Sequence, residues 1–269
     1  MYNGYKVKAL VFAGRKDTMS ILFPKIKSKI LDDVLIGINT RNKDDISYIN
    51  SYLPKDKKFK KIIIPDNFIG TADAYYYMFS LLTEEDTIYI KLDDDLIYFS
   101  DNFFEELVKF RTEHINYYTI YPFVVNNPLC NYLNNNFHFD NQSDCMFKTW
   151  KEPKYSYFLL KAFKENYLTI NADNYEFDDS DVFKREEIGF PICPSINCIC
   201  FFGKDCKELK WAERMKLFGG DEGYITRGIF NDYGRERKHI VYTKPICVHY
   251  AFFTQRQFLN SKNILKYYR

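Results

Sequence analysis

Residues 87–95 read TIYIKLDDD, a short apolar segment that runs directly into three aspartates. The first six residues predict a buried β-strand. Because side chains alternate across a strand, we expect Asp93 and Asp95 to share one face while Asp94 turns away. In an open parallel sheet, ligands bind beyond the carboxyl ends of the strands. The segment therefore predicts both a strand and the edge of a ligand site.

The segments before this strand alternate between strand and helix patterns. Apolar runs at residues 7–14 (VKALVFAG), 34–39 (VLIGIN) and 60–65 (KKIIIP) predict strands, and residues 71–82 carry apolar side chains at helical spacing. Such alternation is typical of βαβ units. The sequence therefore predicts an α/β fold with a mostly parallel central sheet flanked by helices.

The 269 residues fall into three stretches of different character, with no linker rich in Pro or Gly between them. Residues 1–125 carry the βαβ pattern, residues 126–190 are irregular and rich in Asn, and residues 191–269 return to ordered patterns. Because neither a repeat nor a linker is present, we expect one domain over 1–269, with 126–190 as an elaboration on the sheet.

Composition and net charge exclude some classes of binding partner. Lys and Arg total 38 against 36 Asp and Glu, a net charge of +2, so there is no broad basic field to bind nucleic acid. No apolar run reaches about 18 residues and no signal peptide is recognisable, so we expect a soluble, cytoplasmic protein without a transmembrane helix. The seven cysteines are odd in number, and residues 196–202 (INCICFF) predict a buried strand with reduced thiols.

The aspartate triplet is a candidate metal site. Adjacent like charges repel unless a cation neutralises them, and a hard divalent ion prefers oxygen ligands that it shares with phosphates. The triplet therefore predicts Mg²⁺ or Mn²⁺ held between the protein and a diphosphate. The alternative is a solvated acidic loop that interacts with the dipole of the following helix.

Two further features carry candidate chemistry. Asp221 and Glu222 follow Gly219 and Gly220, which let the chain turn sharply before a helix. A carboxylate held there can deprotonate an acceptor hydroxyl, or it can simply cap the helix. His249 ends the last strand, where a neutral imidazole can complete a metal site or can be a satisfied core residue.

The order of these motifs resembles the nucleotide-sugar-dependent glycosyltransferases of the GT-A fold, in particular family-2-like members with a DxD motif. The resemblance rests on VFAGR (11–15), KLDDDLIYFSDNFFEELVKF (91–110), FGGDEGYIT (218–226) and CVHYAFF (247–253). It implies a Rossmann-like sheet whose first half, 1–125, binds the nucleotide sugar. It also implies that residues 191–269 bind the acceptor, carry catalysis and include a smaller β element.

The resemblance also implies roles for individual residues. Asp93 and Asp94 belong to the nucleotide-sugar-binding motif, and Asp95 is the implied metal ligand, with Asp93 and His249 as further ligands. Glu222 takes the position of the catalytic base and Asp221 that of the acceptor-binding carboxylate, although the usual Glu-Asp order is reversed. The nucleotide is implied to contact Ala13, Arg15, Thr40, Arg41, Gly70 and Asp73.

The resemblance predicts metal-dependent transfer of a sugar from a UDP- or GDP-sugar to a hydroxyl of a glycan or glycoconjugate acceptor, with inversion in a single displacement. Two alternatives stay open. A sugar nucleotidyltransferase uses similar parts but needs a glycine-rich basic loop after the first strand, where residues 12–19 (FAGRKDTM) have one glycine and two basic residues. The second alternative is a non-catalytic glycan-binding module, in which the aligned Asp93 and Asp95 would have no function.

Overall fold

The computed structural model describes residues 1–134, 142–181, 183–184, 191–192 and 194–269. The strands are β1 (Lys6–Ala13), β2 (Asp33–Ile38), β3 (Phe59–Ile62), β4 (Thr87–Asp93), β5 (Leu96–Phe99), β6 (Ile120–Val125), β7 (Tyr175–Phe177), β8 (Phe183–Lys184), β9 (Pro191–Ile192), β10 (Cys198–Phe202) and β11 (His239–His249). The helices are α1 (Lys16–Lys25), α2 (Lys43–Tyr52), α3 (Ala72–Ser80), α4 (Phe103–Glu113), α5 (Pro128–Leu133), α6 (Gln142–Lys151), α7 (Pro153–Lys164), α8 (Gly203–Glu208), α9 (Trp211–Leu217), α10 (Asp221–Gly223), α11 (Ile229–Tyr233) and α12 (Arg256–Ser261).

The main sheet has the strand order β3-β2-β1-β4-β10-β6-β11-β5, and β7 pairs with the first part of β11. The first four strands are parallel, as are β6 and β11, whereas β10 is antiparallel to both of its neighbours. β8 and β9 pair separately in a small two-stranded sheet. The predicted α/β, Rossmann-like architecture is confirmed.

The centre of the sheet is buried on both faces and is mostly apolar. β1 is buried from its second residue to its last, and β4 is buried up to Asp93, which lies opposite Phe12. Burial on both faces is expected for parallel strands covered by helices. Trp211 of α9 is fully buried and packs on Phe201 and Phe79, with ring centroids 4.7 and 5.9 Å away. The core thus extends from the sheet to α3 and α9.

The strand predicted from INCICFF is β10, and it is inserted between β4 and β6. Cys198 lies opposite Leu92, so the residues just before β10 reach the end of β4. The prediction of buried, reduced thiols is confirmed for the six cysteines that the structure describes, because none of them forms a disulfide. Cys193 lies outside the described residues.

The last strand, β11, is divided by an irregularity between Tyr242 and Ile246. Its second part pairs with β5 on one side and with β6 on the other, and it ends at His249. A second irregularity lies between Val248 and His249, and His249 pairs with Leu96, the first residue of β5, directly after the aspartates.

The Asn-rich stretch contains α5, α6 and α7, and its residues 135–141, 182 and 185–190 lie outside the described part of the chain. Its role as an elaboration stays a prediction. Among the described residues, no helix combines the length and apolar character needed to cross a bilayer.

Candidate functional site

The three aspartates form the turn between β4 and β5. The backbone N–H of Asp93 donates to the carbonyl of Asn197 (2.9 Å), and Tyr250 N–H donates to the carbonyl of Asp95 (2.9 Å). The turn is therefore held between the start of β10 and the end of β11. Asp94 and Asp95 are each only 2% exposed, so the alternative of a solvated acidic loop does not describe them.

The carboxylate of Asp94 points to the loop after β1. One oxygen accepts Gly14 N–H at 2.8 Å, and the other accepts Arg15 Nε–H at 2.9 Å with a second contact from Arg15 Nη2. Asp94 thereby holds Arg15 at the edge of the site, where Arg15 Nη1 also lies 3.4 Å from Asp95 Oδ2. Its role in nucleotide binding stays a prediction.

Asp95 lies among three basic side chains. Its Oδ2 accepts a hydrogen bond from Arg256 Nη2 at 2.6 Å and lies 3.4 Å from Arg15 Nη1. Its Oδ1 is 3.4 Å from His249 Nε2 but has no hydrogen-bond partner among the described residues. Burial acts to raise the pKa of Asp95, but Arg15, His249 and Arg256 outweigh it and hold that pKa well below its usual range.

Asp93 forms an ion pair with the buried Lys91. Lys91 Nζ, whose side chain is 4% exposed, contacts Asp93 Oδ1 and donates to the carbonyl of Ile196 at 2.6 Å. Asn197 Nδ2 donates to the other oxygen of Asp93 at 3.1 Å. Burial acts to lower the pKa of Lys91, but Asp93 and Asp221 outweigh it and raise that pKa above its ordinary value. Lys91 therefore carries its positive charge.

Asp93, Asp95 and His249 fit a divalent cation. One ligand atom from each lies within 4.8 Å of the others, and the buried Asp95 Oδ1 lacks a hydrogen-bond partner in the described structure. Carboxylate oxygens with an imidazole nitrogen form a donor set suited to Mn²⁺ and related ions. The structure thus brings together the three residues that the sequence proposes as ligands.

Asp221 and Glu222 begin α10 directly after two glycines with positive φ, 76° at Gly219 and 127° at Gly220. Burial raises the pKa of Asp221. Burial and Asp221 raise the pKa of Glu222 to about 8, although Lys91 acts in the opposite direction. The two acids therefore lie within electrostatic reach of Lys91 and Asp93.

The sequence also proposes nucleotide contacts in the loops beside β1. Ala13 is fully buried, and its carbonyl accepts Asn39 N–H at 2.8 Å. Asn39 Oδ1 accepts Gly70 N–H at 2.6 Å, and Arg41 donates to the carbonyl of Ile69 at 3.4 Å. These bonds join the loops into one rim, whose contact with a nucleotide stays a prediction.

Two other predicted contacts lie on the same side of the sheet. Thr40 Oγ1 accepts Asn42 N–H at 3.2 Å, next to the start of α2. Asp73 lies in the first turn of α3 and pairs with Lys216 at 3.1 Å. Asp73 is therefore engaged with α9, and the structure does not place it with the metal-ligand cluster.

Four residues of the site are not predicted from the sequence: Lys91, Arg256, Tyr75 and Asn197. Lys91 leaves a signal, because it is the one charged residue within an otherwise apolar strand segment. Tyr75 packs on Phe12 at 4.8 Å, and burial, then Asp93 and Asp221, raise its pKa. Arg256 and Asn197 carry no motif, because only the folded sheet brings them to the aspartates.

No protein-family model and no curated protein matches this sequence. Solved structures are similar in shape. One is 4-diphosphocytidyl-2C-methyl-D-erythritol synthase from Anaerococcus prevotii, at 13% identity over 97% of this chain and 96% of that chain, with a TM-score of 0.49. Another is CMP:2-keto-3-deoxy-manno-octonic acid synthetase complexed with CTP, at 7% identity over 97% and 98%, with a TM-score of 0.49. A third is a mannosyltransferase from Pyrobaculum calidifontis in complex with GDP-Man and Mn²⁺, at 11% identity over 91% and 56%, with a TM-score of 0.47.

The comparisons correct the predicted activity. At these identities the similarity concerns the fold alone. The solved structures of similar shape include nucleotidyltransferases as well as a mannosyltransferase. The prediction of glycosyl transfer from motif order is therefore wrong, because the fold that the motifs describe is not particular to glycosyltransferases.

Proposed function

We propose that the chain is a metal-dependent nucleotidyltransferase that joins the nucleotide of a nucleoside triphosphate to a sugar phosphate and releases pyrophosphate. The observation that carries the proposal is the convergence of two guanidinium groups on Asp95, beside the metal-ligand cluster. A planar guanidinium forms paired hydrogen bonds with phosphate oxygens, and two of them suit a polyphosphate.

A sugar nucleotidyltransferase needs a basic loop after its first strand, and in this chain only Arg15 of that loop reaches the site. The fold supplies a second guanidinium from the other end of the chain, because Arg256 follows β11 and lies 2.6 Å from Asp95 Oδ2. The positive charge that the loop lacks is therefore provided by α12.

The balance of charge supports a cationic cofactor. Four carboxyl groups (Asp93, Asp94, Asp95 and Asp221) meet at the site beside Glu222, which keeps its proton near neutral pH, against the three permanent cations Arg15, Lys91 and Arg256. Asp93, Asp95 and His249 would hold Mn²⁺ or Mg²⁺, which when bound supplies charge neutralisation at the phosphates and stabilises the leaving pyrophosphate.

The reaction places few demands on a catalytic base. An oxygen of the sugar phosphate attacks the α-phosphorus of the triphosphate, and the bond from that phosphorus to the bridging oxygen breaks as pyrophosphate leaves. The attacking oxygen is already anionic, so Arg15 and Arg256 contribute by holding the phosphates in line. Asp221 and Glu222 are suited to accept hydrogen bonds from sugar hydroxyls. A UDP- or GDP-sugar, expected from the sequence as a donor, is here the product.

The test is pyrophosphate release. The protein is incubated with Mn²⁺ or Mg²⁺, each common nucleoside triphosphate and a panel of sugar 1-phosphates. We expect at least one pair to release pyrophosphate and form a nucleotide sugar, and Asp95→Asn to lower the rate by about 100-fold. Asp205→Asn is the matched control, because Asp205 is equally buried but pairs with Arg237 away from the site. No pyrophosphate from any pair contradicts the proposal.

A further inference from the structure

Two consecutive asparagines at the end of β6 lie behind the metal-ligand cluster. Asn126 and Asn127 are 0% and 2% exposed and follow Val125. Asn126 has a left-handed backbone with φ of 65°, which is uncommon outside glycine. Buried asparagine side chains need hydrogen-bond partners. The hydrogen bonds of these two residues connect them to His249 and Asp93, two of the three proposed metal ligands.

Asn126 holds the end of β11 and orients His249. Its Nδ2 donates to the carbonyls of His249 and Tyr250 (3.4 and 3.3 Å) and to Gln255 Oε1 (3.2 Å). The backbone carbonyl of Asn126 lies 3.3 Å from His249 Nδ1. Because a carbonyl only accepts, Nδ1 carries the proton, and Nε2 is the ring nitrogen that faces Asp95 Oδ1.

Asn127 is connected to Asp93, another proposed metal ligand, through the side-chain amide of Asn197. Its Nδ2 donates to the carbonyl of Ser195 (2.8 Å) and to Asn197 Oδ1 (3.0 Å). Asn197 Nδ2 donates in turn to Asp93 Oδ2 at 3.1 Å. Because the Asn197 oxygen already accepts from Asn127, its NH₂ group must face Asp93, which fixes the direction of that carboxylate.

We propose that Asn126 and Asn127 are positioning residues of the metal site. The side-chain amide of Asn126 fixes the end of β11 that carries His249, and its backbone carbonyl sets which ring nitrogen faces Asp95. Asn127 sets the carboxylate of Asp93 through Asn197. The inference rests on the metal site of the proposed function but not on nucleotidyl transfer itself. Partners that orient metal ligands typically change metal affinity by about 10- to 100-fold.

Two variants separate this role from support of the backbone. Asn126→Gly keeps the left-handed conformation and the carbonyl that meets His249, but removes the amide. Asn127→Ser keeps an oxygen for Cys130 N–H at the start of α5, where Asn127 Oδ1 now accepts at 3.2 Å, but removes the donor to Asn197. The matched control is Asn131→Ala, which removes a buried amide that donates to Thr149 Oγ1 instead.

The full-length proteins are titrated with MnCl₂ without nucleotide, and free Mn²⁺ is followed by electron paramagnetic resonance. Thermal melting in EDTA reports the stability of each variant. We expect both positioning variants to bind Mn²⁺ about 10- to 100-fold more weakly, and Asn131→Ala to bind it within about 2-fold of the unaltered protein even where it melts earlier. We also expect long-range ¹H–¹⁵N spectra of metal-free Asn126→Gly to show His249 still protonated on Nδ1, because the carbonyl that selects this tautomer remains.

Two results overturn the inference: Mn²⁺ affinity within about 2-fold of the unaltered protein in both positioning variants, or an equal loss in Asn131→Ala. An unaltered protein that binds no Mn²⁺ overturns the metal site of the proposed function and this inference with it. The two failures are therefore distinguishable.

Discussion

A carboxylate buried as deeply as that of Asp95 is costly to remove from water unless opposite charges surround it. Arg256 and Arg15 provide that surrounding from two separate segments of the chain, and His249 Nε2 lies 3.4 Å from Asp95 Oδ1. Under the proposed function, the partners that stabilise the carboxylate would also contact phosphates. Removal of one partner is therefore expected to change stability and ligand binding together.

Arg256→Gln tests this link. We expect the free energy of unfolding to fall by about 2 kcal/mol, because a buried charge loses its nearest partner while Arg15 and His249 remain. We expect triphosphate affinity to fall by about 10-fold or more. Urea unfolding and nucleotide titration measure the two effects. Arg235→Gln is the control, because Arg235 pairs with Asp179 at the surface, and an equal loss of affinity there contradicts a specific role for Arg256.

Glu222 makes stability depend on pH. Its pKa of about 8 in the folded protein lies above the ordinary 4.5, so the folded state holds a proton that the unfolded state releases between these values. Stability contributed by the protonated form is thus lost as pH rises through that window. In EDTA, we expect Glu222→Gln to melt close to the unaltered protein at pH 5 and several degrees above it at pH 8.5. A difference that shrinks with rising pH contradicts this.

At the scale of secondary structure, the insertion of β10 between β4 and β6 builds the acidic side of the site. It brings the carbonyl of Ile196 and the amide of Asn197 to the end of β4, where Lys91 and Asp93 use them. Lys91 therefore joins two antiparallel strands through a buried charge rather than through the backbone ladder.

Lys91→Met removes this connection while retaining most of the side-chain volume. We expect a loss of about 1–3 kcal/mol in the free energy of unfolding, because Asp93 and the Ile196 carbonyl each lose a partner and Asp93 stays partly solvated. Lys207→Met is the matched control, since Lys207 pairs with Glu85 at the surface and such pairs contribute about 0–1 kcal/mol. Chemical denaturation of both variants measures the difference, and equal losses contradict the argument.

The sequence predicts those parts of the fold that local patterns control. The strand ending at Asp93, the glycine turn before Asp221 and the strand end at His249 each carry a local signal, and the structure brings Asp93 and His249 together. The insertion of β10 and the approach of Arg256 depend on contacts distant in sequence, for which a single chain offers no pattern. The predicted activity failed for a related reason, because motif order describes an architecture that different reactions share.

For the whole molecule, we expect Mn²⁺ to raise the melting temperature through mass action. At a Mn²⁺ concentration about 100 times the dissociation constant, the gain is about 2.7 kcal/mol, or roughly 5–10 °C for a domain of this size. Calorimetry with MnCl₂ and then with EDTA measures the gain and its removal. Asp95→Asn is expected to abolish the shift, and an unchanged shift in that variant places the ion elsewhere.

The site also draws on residues from both ends of the chain, from Arg15 after β1 to Arg256 in α12. A nascent chain on the ribosome that has not yet released α12 lacks one of the two guanidinium groups, and before His249 emerges it lacks the imidazole too. Assembly of the site is thereby deferred until α12 has left the ribosome. A polypeptide released before that point would lack part of the proposed metal and phosphate contacts.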